Sequence, residues 1–456
     1  MNERCVRVRD QGVGRCVRPL LVGLLLAVGT TTHAEERGSR RVGWEPRVPV
    51  GKCLTPAGGL LVNERPGQPW QSLDEEDDLH SRDLLLALPG MKAKLATHPR
   101  AVELTLWSNL PGLTEFSGLQ SAVVLHDSRA FDLDFTLLRG RVIVANRKTK
   151  GAVKVWVRLP DDAWELTLSE PGTEVALELF GRWPRGVGFS KTPAADEVPT
   201  HALRLLVLKG QAELKTTAHT HALSEPPGQA YFEWDSIAGE AEAPRRVASG
   251  PDWNKPGVDL PIESKAMIQI VDRFRAGLKD RAPGVALREL LKEADTIKDR
   301  TVAALTREFA LQGLTALDDV APAVAALADA KHARLRGNAI LCLRHWSGQT
   351  ASHDLTLYDL LMDNGYEKNQ AETIMYLLHN PFEIDKPETY ETLILYLGHD
   401  KLAIRELAHW HLERLTNLAA KIGFDPAAPE AERAKAIAEW KKRIPSGKLP
   451  PKDTDK

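Results

Sequence analysis

Several sets of residues have the types and spacing to do chemistry. His219-Thr220-His221 places two imidazoles at i and i+2, which on a strand point to one face and could share a metal ion. No third ligand stands near them in the chain, so the pattern reads as two surface histidines, and no metal is expected. Asp132 and Asp134 share a strand face in the same way. A general acid/base pair needs an environment that splits its two pKa values, and no third acid or base is evident beside them. Residues 74–78 (DEEDD) are acidic enough to attract calcium but lack the glycine and ligand spacing of a calcium loop. His409 and His411 lie two apart in a helical stretch, where they face apart and cannot hold one ion together. G-x-S-x-G, H-E-x-x-H, a Walker loop and G-x-G-x-x-G are absent, and Gly186-Val187-Gly188 is explained by a loop after Pro184. These residues point to a chain with no catalytic residues and no cofactor.

Binding residues are easier to nominate. Trp156 and Trp183 fall on the strand face opposite the valines, and aromatic rings on an open face bind sugars or a protein partner. Trp346 and Trp410, with Arg336 and Arg405, fall in helices and are expected near a partner-binding face. Two competing readings stand beside these. The tryptophans could be covered by the linker or the helices, and the arginines could only brace neighbouring helical hairpins.

The elements that carry these residues follow from periodicity. Over residues 44–225 apolar and polar residues alternate, as in VKVWVR (153–158), FDLDFTL (131–137), RVIVAN (141–146) and LRLLVL (203–208), with Gly- and Pro-rich turns between them. That pattern predicts a largely antiparallel β domain. Residues 226–262 hold Pro226, Pro227, Pro244, Pro251, Pro256 and Pro261 with little periodicity, and read as a linker. From 263 to 444 the period becomes helical, beginning with Met267, Ile270, Val271, Phe274 and Leu278. An internal repeat runs through it: Arg300, Arg336, Lys368 and Arg405 each stand three before Ala303, Ala339, Ala371 and Ala408. Leu343, Met375 and Leu412 follow four after the last three alanines. Such spacing predicts stacked α-hairpins whose small residues let helices approach closely. Residues 445–456 read as a disordered tail.

With 456 residues, 60 Lys+Arg against 62 Asp+Glu and a net charge of −2, the chain is large enough for several cores and has no basic excess for nucleic acid. Residues 1–34 join an arginine-rich start, the apolar run LLVGLLLAV (20–28) and a small-residue end at Ala34, the pattern of a cleaved secretory signal. Removing them takes away five arginines, one glutamate and one aspartate and moves the net charge from −2 to −5. Cys5 and Cys16 leave with the signal. Cys53 and Cys342 are too isolated for a disulfide framework.

The segments LLRGRVIVAN (137–146), EPGTEVALEL (170–179) and LLVLKGQAEL (205–214) resemble the FecR-like domain of bacterial envelope proteins. Gly140, Gly172-Thr173 and Gly210 fall in that family's order, over roughly 55–225. The whole arrangement, including AEWKKRIPSGKLPP near the end, looks like a planctomycete-type group of secreted proteins that join this domain to HEAT-like helices. The resemblance implies an FecR-like β domain followed by a HEAT-like α-solenoid. Family members relay signals from an outer-membrane receptor to a cytoplasmic sigma factor, but this sequence lacks the cytoplasmic segment and membrane helix such a relay uses. The expectation is a secreted or periplasmic recognition or scaffold protein, non-enzymatic, whose partner is another envelope protein. An envelope signalling sensor and a protein that binds or cleaves a cell-surface glycan are the alternatives. No nucleic acid and no membrane span after signal cleavage are expected.

Overall fold

The alternating stretches form strands because each can turn one apolar row inward. The computed structural model describes residues 47–451, except 66, 109, 112–119, 195–196, 242, 256, 279–280, 380 and the side chain of residue 420. The signal peptide expected over 1–34 and the last residues of the tail lie outside this range. The strands are β1 (Pro49–Cys53), β2 (Leu61–Asn63), β3 (Gln71–Ser72), β4 (Asp78–His80), β5 (Leu84–Ala87), β6 (Lys92–Thr97), β7 (Val102–Trp107), β8 (Ser121–His126), β9 (Leu133–Asn146), β10 (Val153–Arg158), β11 (Ala163–Leu168), β12 (Glu174–Arg182), β13 (Thr200–Lys209), β14 (Gln211–Lys215), β15 (Thr220–Ser224), β16 (Tyr231–Asp235) and β17 (Gly239–Glu240).

These strands make two sheets that share β9. One runs β4-β1-β6-β7-β9-β12-β13-β16-β17. The other runs β3-β2-β5-β8-β9-β10-β11-β14-β15. Their inner rows, among them Phe135, Val144, Val155, Leu177 and Leu205, are fully buried. The sheets are not purely antiparallel: β9 and β10 pair in parallel, Val155 opposite Leu133. That pairing arises because β9 leaves the second sheet halfway along its length, and the chain returns beside its first half.

β9 changes sheet at Gly140. Residues before it pair with β8 and residues after it with β7. Gly140 has φ +81°, and a Cβ there would lie 2.1 Å from the Gln120 carbonyl oxygen, so only glycine fits the corner. Gly172 and Gly210, also at positive φ, stand where the chain passes from β11 to β12 and from β13 to β14, again between sheets.

The stretch expected to be a linker over 226–262 supplies β16, which pairs with β13 through Leu203–Trp234 and Leu205–Phe232. Phe232 and Trp234 alternate inward and are buried, a signal masked in the sequence by the prolines around it.

The helices are α1 (Ile262–Ala276), α2 (Pro283–Glu293), α3 (Arg300–Ala316), α4 (Ala321–Ala326), α5 (Ala333–Ser347), α6 (Ser352–Asp363), α7 (Lys368–Leu378), α8 (Pro387–Tyr396), α9 (Leu402–Leu415), α10 (Ala419–Ile422) and α11 (Glu430–Arg443). Contacting pairs α2–α3, α4–α5, α6–α7 and α8–α9 follow one another, and α3, α5, α7 and α9 are in contact in succession. The four alanines of the repeat lie on those four helices and all are buried, as are Leu343, Met375 and Leu412. Small residues at these points let the helix backbones close up. Among the described residues no helix is long and apolar enough to cross a membrane.

The stripe that runs from Met267 on α1 to Leu278 just past its end belongs to the same apolar core as the sheet interior, together with Leu287, Leu305 and Phe309. At roughly 1.5–3 kcal/mol for each fully buried large side chain, five such residues hold α1 firmly on the sheets. A second core starts at Leu311 of α3 and runs to Ile444. The division between cores therefore falls inside α3. The tail is anchored at its start, where the Ser446 hydroxyl and the Gly447 amide both donate to Glu391. Cys53 and Cys342 are buried free thiols.

A candidate binding groove on the helices

The loop after β12 carries Phe189 onto the helices. Its ring stacks on Tyr358 of α6 at 5.6 Å. The Lys191 ammonium lies 3.8 Å from the centre of the Tyr358 ring and 3.6 Å from Glu372. Beside this loop, Phe189, Lys191, Asn369, Thr373, Tyr376 and Tyr396 line a groove of about 540 Å³. Tyr396 is also a wall of a second groove of about 660 Å³, between α8 and α11, lined by Leu395, His399, Ala434, Ile437 and Lys441. Leu395, beside Tyr396 on the wall of the second groove, is 71% exposed, and Tyr376 of α7 and Ile384 in the connection between α7 and α8 are exposed too. Burial and the neighbouring Tyr396 raise the Tyr376 phenol above its ordinary range. The walls offer aromatic faces, an amide, hydroxyls and one carboxylate already paired with Lys191.

The helical residues nominated from the sequence do not form this surface. Arg336 is buried and donates from Nε to Glu406 of α9 at 2.6 Å and from a terminal nitrogen to the Asp329 carbonyl at 2.8 Å. Arg405 is buried too, and donates to the carbonyls of Pro426, His399 and Asp400 at 2.7, 2.6 and 2.8 Å. Both brace neighbouring helices and loops rather than face a partner. Trp346 is buried, stacked on His353 at 3.8 Å, with its indole N–H donated to Asp318. Trp410 is half-buried between the guanidinium groups of Arg414 and Arg344, at 3.7 and 4.8 Å from its ring. The cause is the same in each case: a large side chain beside a helix contact is drawn into the hairpin packing.

The two strand tryptophans part company. Trp183, just past β12, is buried and stacks at 4.3 Å on His379. His379 donates to Asp354 at 2.7 Å, so the helices cover this end of the sheet through a closed His–Asp pair. Trp156 stays half-buried on the outer face of β10, stacked on Phe131 at 5.1 Å between exposed Lys154 and Arg158.

The acid pair is taken up in ion pairs: Asp134 receives two bonds from Arg158, at 2.8 and 2.9 Å, and Asp132 pairs with Lys148 at 2.8 Å. His411 is buried and donates to the Leu377 carbonyl. His219 and His221 do have a third group beside them, Glu240, whose Oε2 lies 3.1 Å from His219 Nδ1 and 3.3 Å from His221 Nε2. Glu240 is 19 residues beyond His221, on a strand inside the presumed linker, where no local spacing could reveal it. Nor did any motif mark Phe189, Tyr376 and Tyr396, which meet only through the loop-on-helix packing. Compared with models of protein families, with curated proteins and with solved structures, the chain finds no match.

Proposed function

We propose that the chain is a non-enzymatic recognition or scaffold protein of the cell envelope, secreted or periplasmic, which holds an extended segment of a protein partner along its helices. In this reading the sandwich is FecR-like, with its signature glycines at the corners between sheets, and the helical pairs are HEAT-like. The observation that carries the proposal is the pair of grooves meeting at Tyr396, crowned by exposed Leu395. A contiguous apolar and aromatic surface rimmed by polar groups marks an interaction site, and an extended segment can lie in both grooves across the Tyr396 ridge. The second core, from Leu311 to Ile444, packs beneath that surface, with Phe189, Tyr396 and Ile437 against it.

The test is a pull-down from the envelope fraction with the untagged chain coupled to a resin. A defined protein is expected to be retained, and Leu395→Ser with Tyr396→Ser should abolish retention. Leu395 is exposed, so the single variant should change stability by less than about 0.5 kcal/mol. Retention that is unaffected by both substitutions overturns the groove reading. A second reading, glycan binding, is favoured by the Phe131–Trp156 stack on the open sheet face. It would show as retention on cell-wall polysaccharide that Trp156→Ala removes.

A further inference from the structure

Among the described residues, β15 ends one sheet and β17 the other, each paired along one side. His219 and His221 stand just before and on β15, and Glu240 stands on β17. The ligand atoms of these three residues all lie within 4.8 Å of one another. We propose that His219, His221 and Glu240 bind one divalent first-row metal ion of the zinc class, which clamps the end strand of one sheet to that of the other. This site is built from elements other than those of the groove and stands or falls independently of it.

Three observations carry the proposal. First, a single carboxylate oxygen faces both imidazole nitrogens, at 3.1 and 3.3 Å. Ligands held at about 2.0–2.1 Å around one zinc ion are separated by roughly 3.0–3.4 Å, so two of the three edges already have the length that coordination needs. The third edge shortens if the His219 ring turns. That ring is 66% exposed and free to do so. Second, the other two ligands are already held. The His221 and Glu240 side chains are nearly buried, and His221 packs on Phe232 at 4.8 Å, so their positions are set before an ion arrives. Third, the donor set discriminates among ions. Calcium and magnesium seek all-oxygen sites, whereas two imidazoles with one carboxylate suit zinc and its neighbours. Three protein ligands leave a fourth position open, and the exposure of His219 turns it toward solvent, where water or a donor from a bound partner can complete it.

The physical benefit is at the edges. The edge strands of a sheet are sites of fraying and of unwanted pairing with other chains, and an ion shared between β15 and β17 ties both at once. Hydrogen bonds alone hold the three side chains without it, which is why the fold can form before the metal binds.

The test uses the untagged full chain, because a polyhistidine tag would itself bind the probe. Zn²⁺ is titrated in by calorimetry at neutral pH, and Co²⁺ is followed by its visible spectrum. One ion per chain is expected, with the absorption of a four- or five-coordinate cobalt site. His219→Ala and Glu240→Gln should each weaken binding by on the order of 100-fold or more, since even loss of an outer-shell partner costs about 10–100-fold. His219 is exposed, so its variant should keep the wild-type circular dichroism and unfolding midpoint without metal. This keeps the test valid even if His221→Ala does not fold. Failure of Zn²⁺ to bind the folded wild-type chain overturns the proposal, as does binding of equal strength in His219→Ala and Glu240→Gln.

Discussion

Arg336 carries its guanidinium into the contact between α5 and α9, where Glu406 and the Asp329 carbonyl receive it and Asp425 lies 3.9 Å away. The pair is nearly out of water, with side-chain exposures of 1% and 11%. In such a place the attraction of the two charges does little more than offset their desolvation, while removal of one partner strands the other. Arg336→Met should therefore destabilise the chain by about 3–5 kcal/mol, and the double variant Arg336→Met/Glu406→Leu should recover most of that loss. Urea unfolding of the three proteins measures it. A cost below about 0.5 kcal/mol for the single variant would show a solvated arginine, the environment a partner-facing residue would have. Tryptophan behaves alike at this scale. Trp183 and Trp346 are drawn under neighbouring elements and Trp410 is clasped by two arginines, while Trp156 of β10, stacked on Phe131, stays half-buried.

At the scale of elements, the repeat is held by polar clasps as well as by its alanines. His411 of α9 donates its Nε2 proton to the Leu377 carbonyl at the end of α7, at 2.7 Å. Burial, with Arg344 nearby, pushes its pKa from 6.5 down to about 3. A depressed histidine pKa means the folded state refuses a proton that the unfolded chain accepts below about pH 6.5. Stability supported by this clasp is thus whole above that pH and falls as pH drops toward 3. Between pH 7 and pH 5 the loss from this residue should be about 2 kcal/mol. His411→Gln keeps an N–H for the carbonyl and does not titrate, so its unfolding free energy should lose about 2 kcal/mol less than wild type over that interval. Parallel pH profiles for the two proteins would show that His411 titrates freely in the fold.

Across the whole molecule the seam between strands and helices is not a hinge. From Arg47 onward the chain forms one compact unit, and the interior of the sheets continues into α1, α2 and the first part of α3. Arg139 of β9 adds a polar stitch, donating to the Ala316 carbonyl and to Gln349 at 3.0 and 3.1 Å. A fragment ending at residue 261 would expose the surface that α1 covers, including Met91 and Leu110. It should be insoluble or bind a hydrophobic dye strongly, and limited proteolysis of the full chain should spare 231–240. A soluble fragment with its own cooperative unfolding transition would instead establish two separable domains.

The order of elements, β then α, and the inward rows of most strands were legible because periods of 2 and 3.6 are written locally by which side chains must leave water. So were the α1 stripe and the buried alanines of the repeat, since a helix can bury only one face against its neighbour. Gly140, Gly172 and Gly210 could be picked out along the chain, but their common role as corners between sheets depends on pairings that no local pattern encodes. β16 was hidden because the prolines on either side of it mark breaks, while its pairing with β13 is a contact across the fold. The same reason separates the candidate residues. Local sequence named His219 and His221, Trp156, and the arginines of the repeat, because their types and spacing are local properties. Only the tertiary structure brought Glu240 to the two histidines, laid Phe189 against α6 beside Tyr376 and Tyr396, and turned Arg336 and Arg405 inward. Each of these depends on which elements pack together, and packing is decided by the sum of buried surface over the whole chain rather than by any short stretch of it.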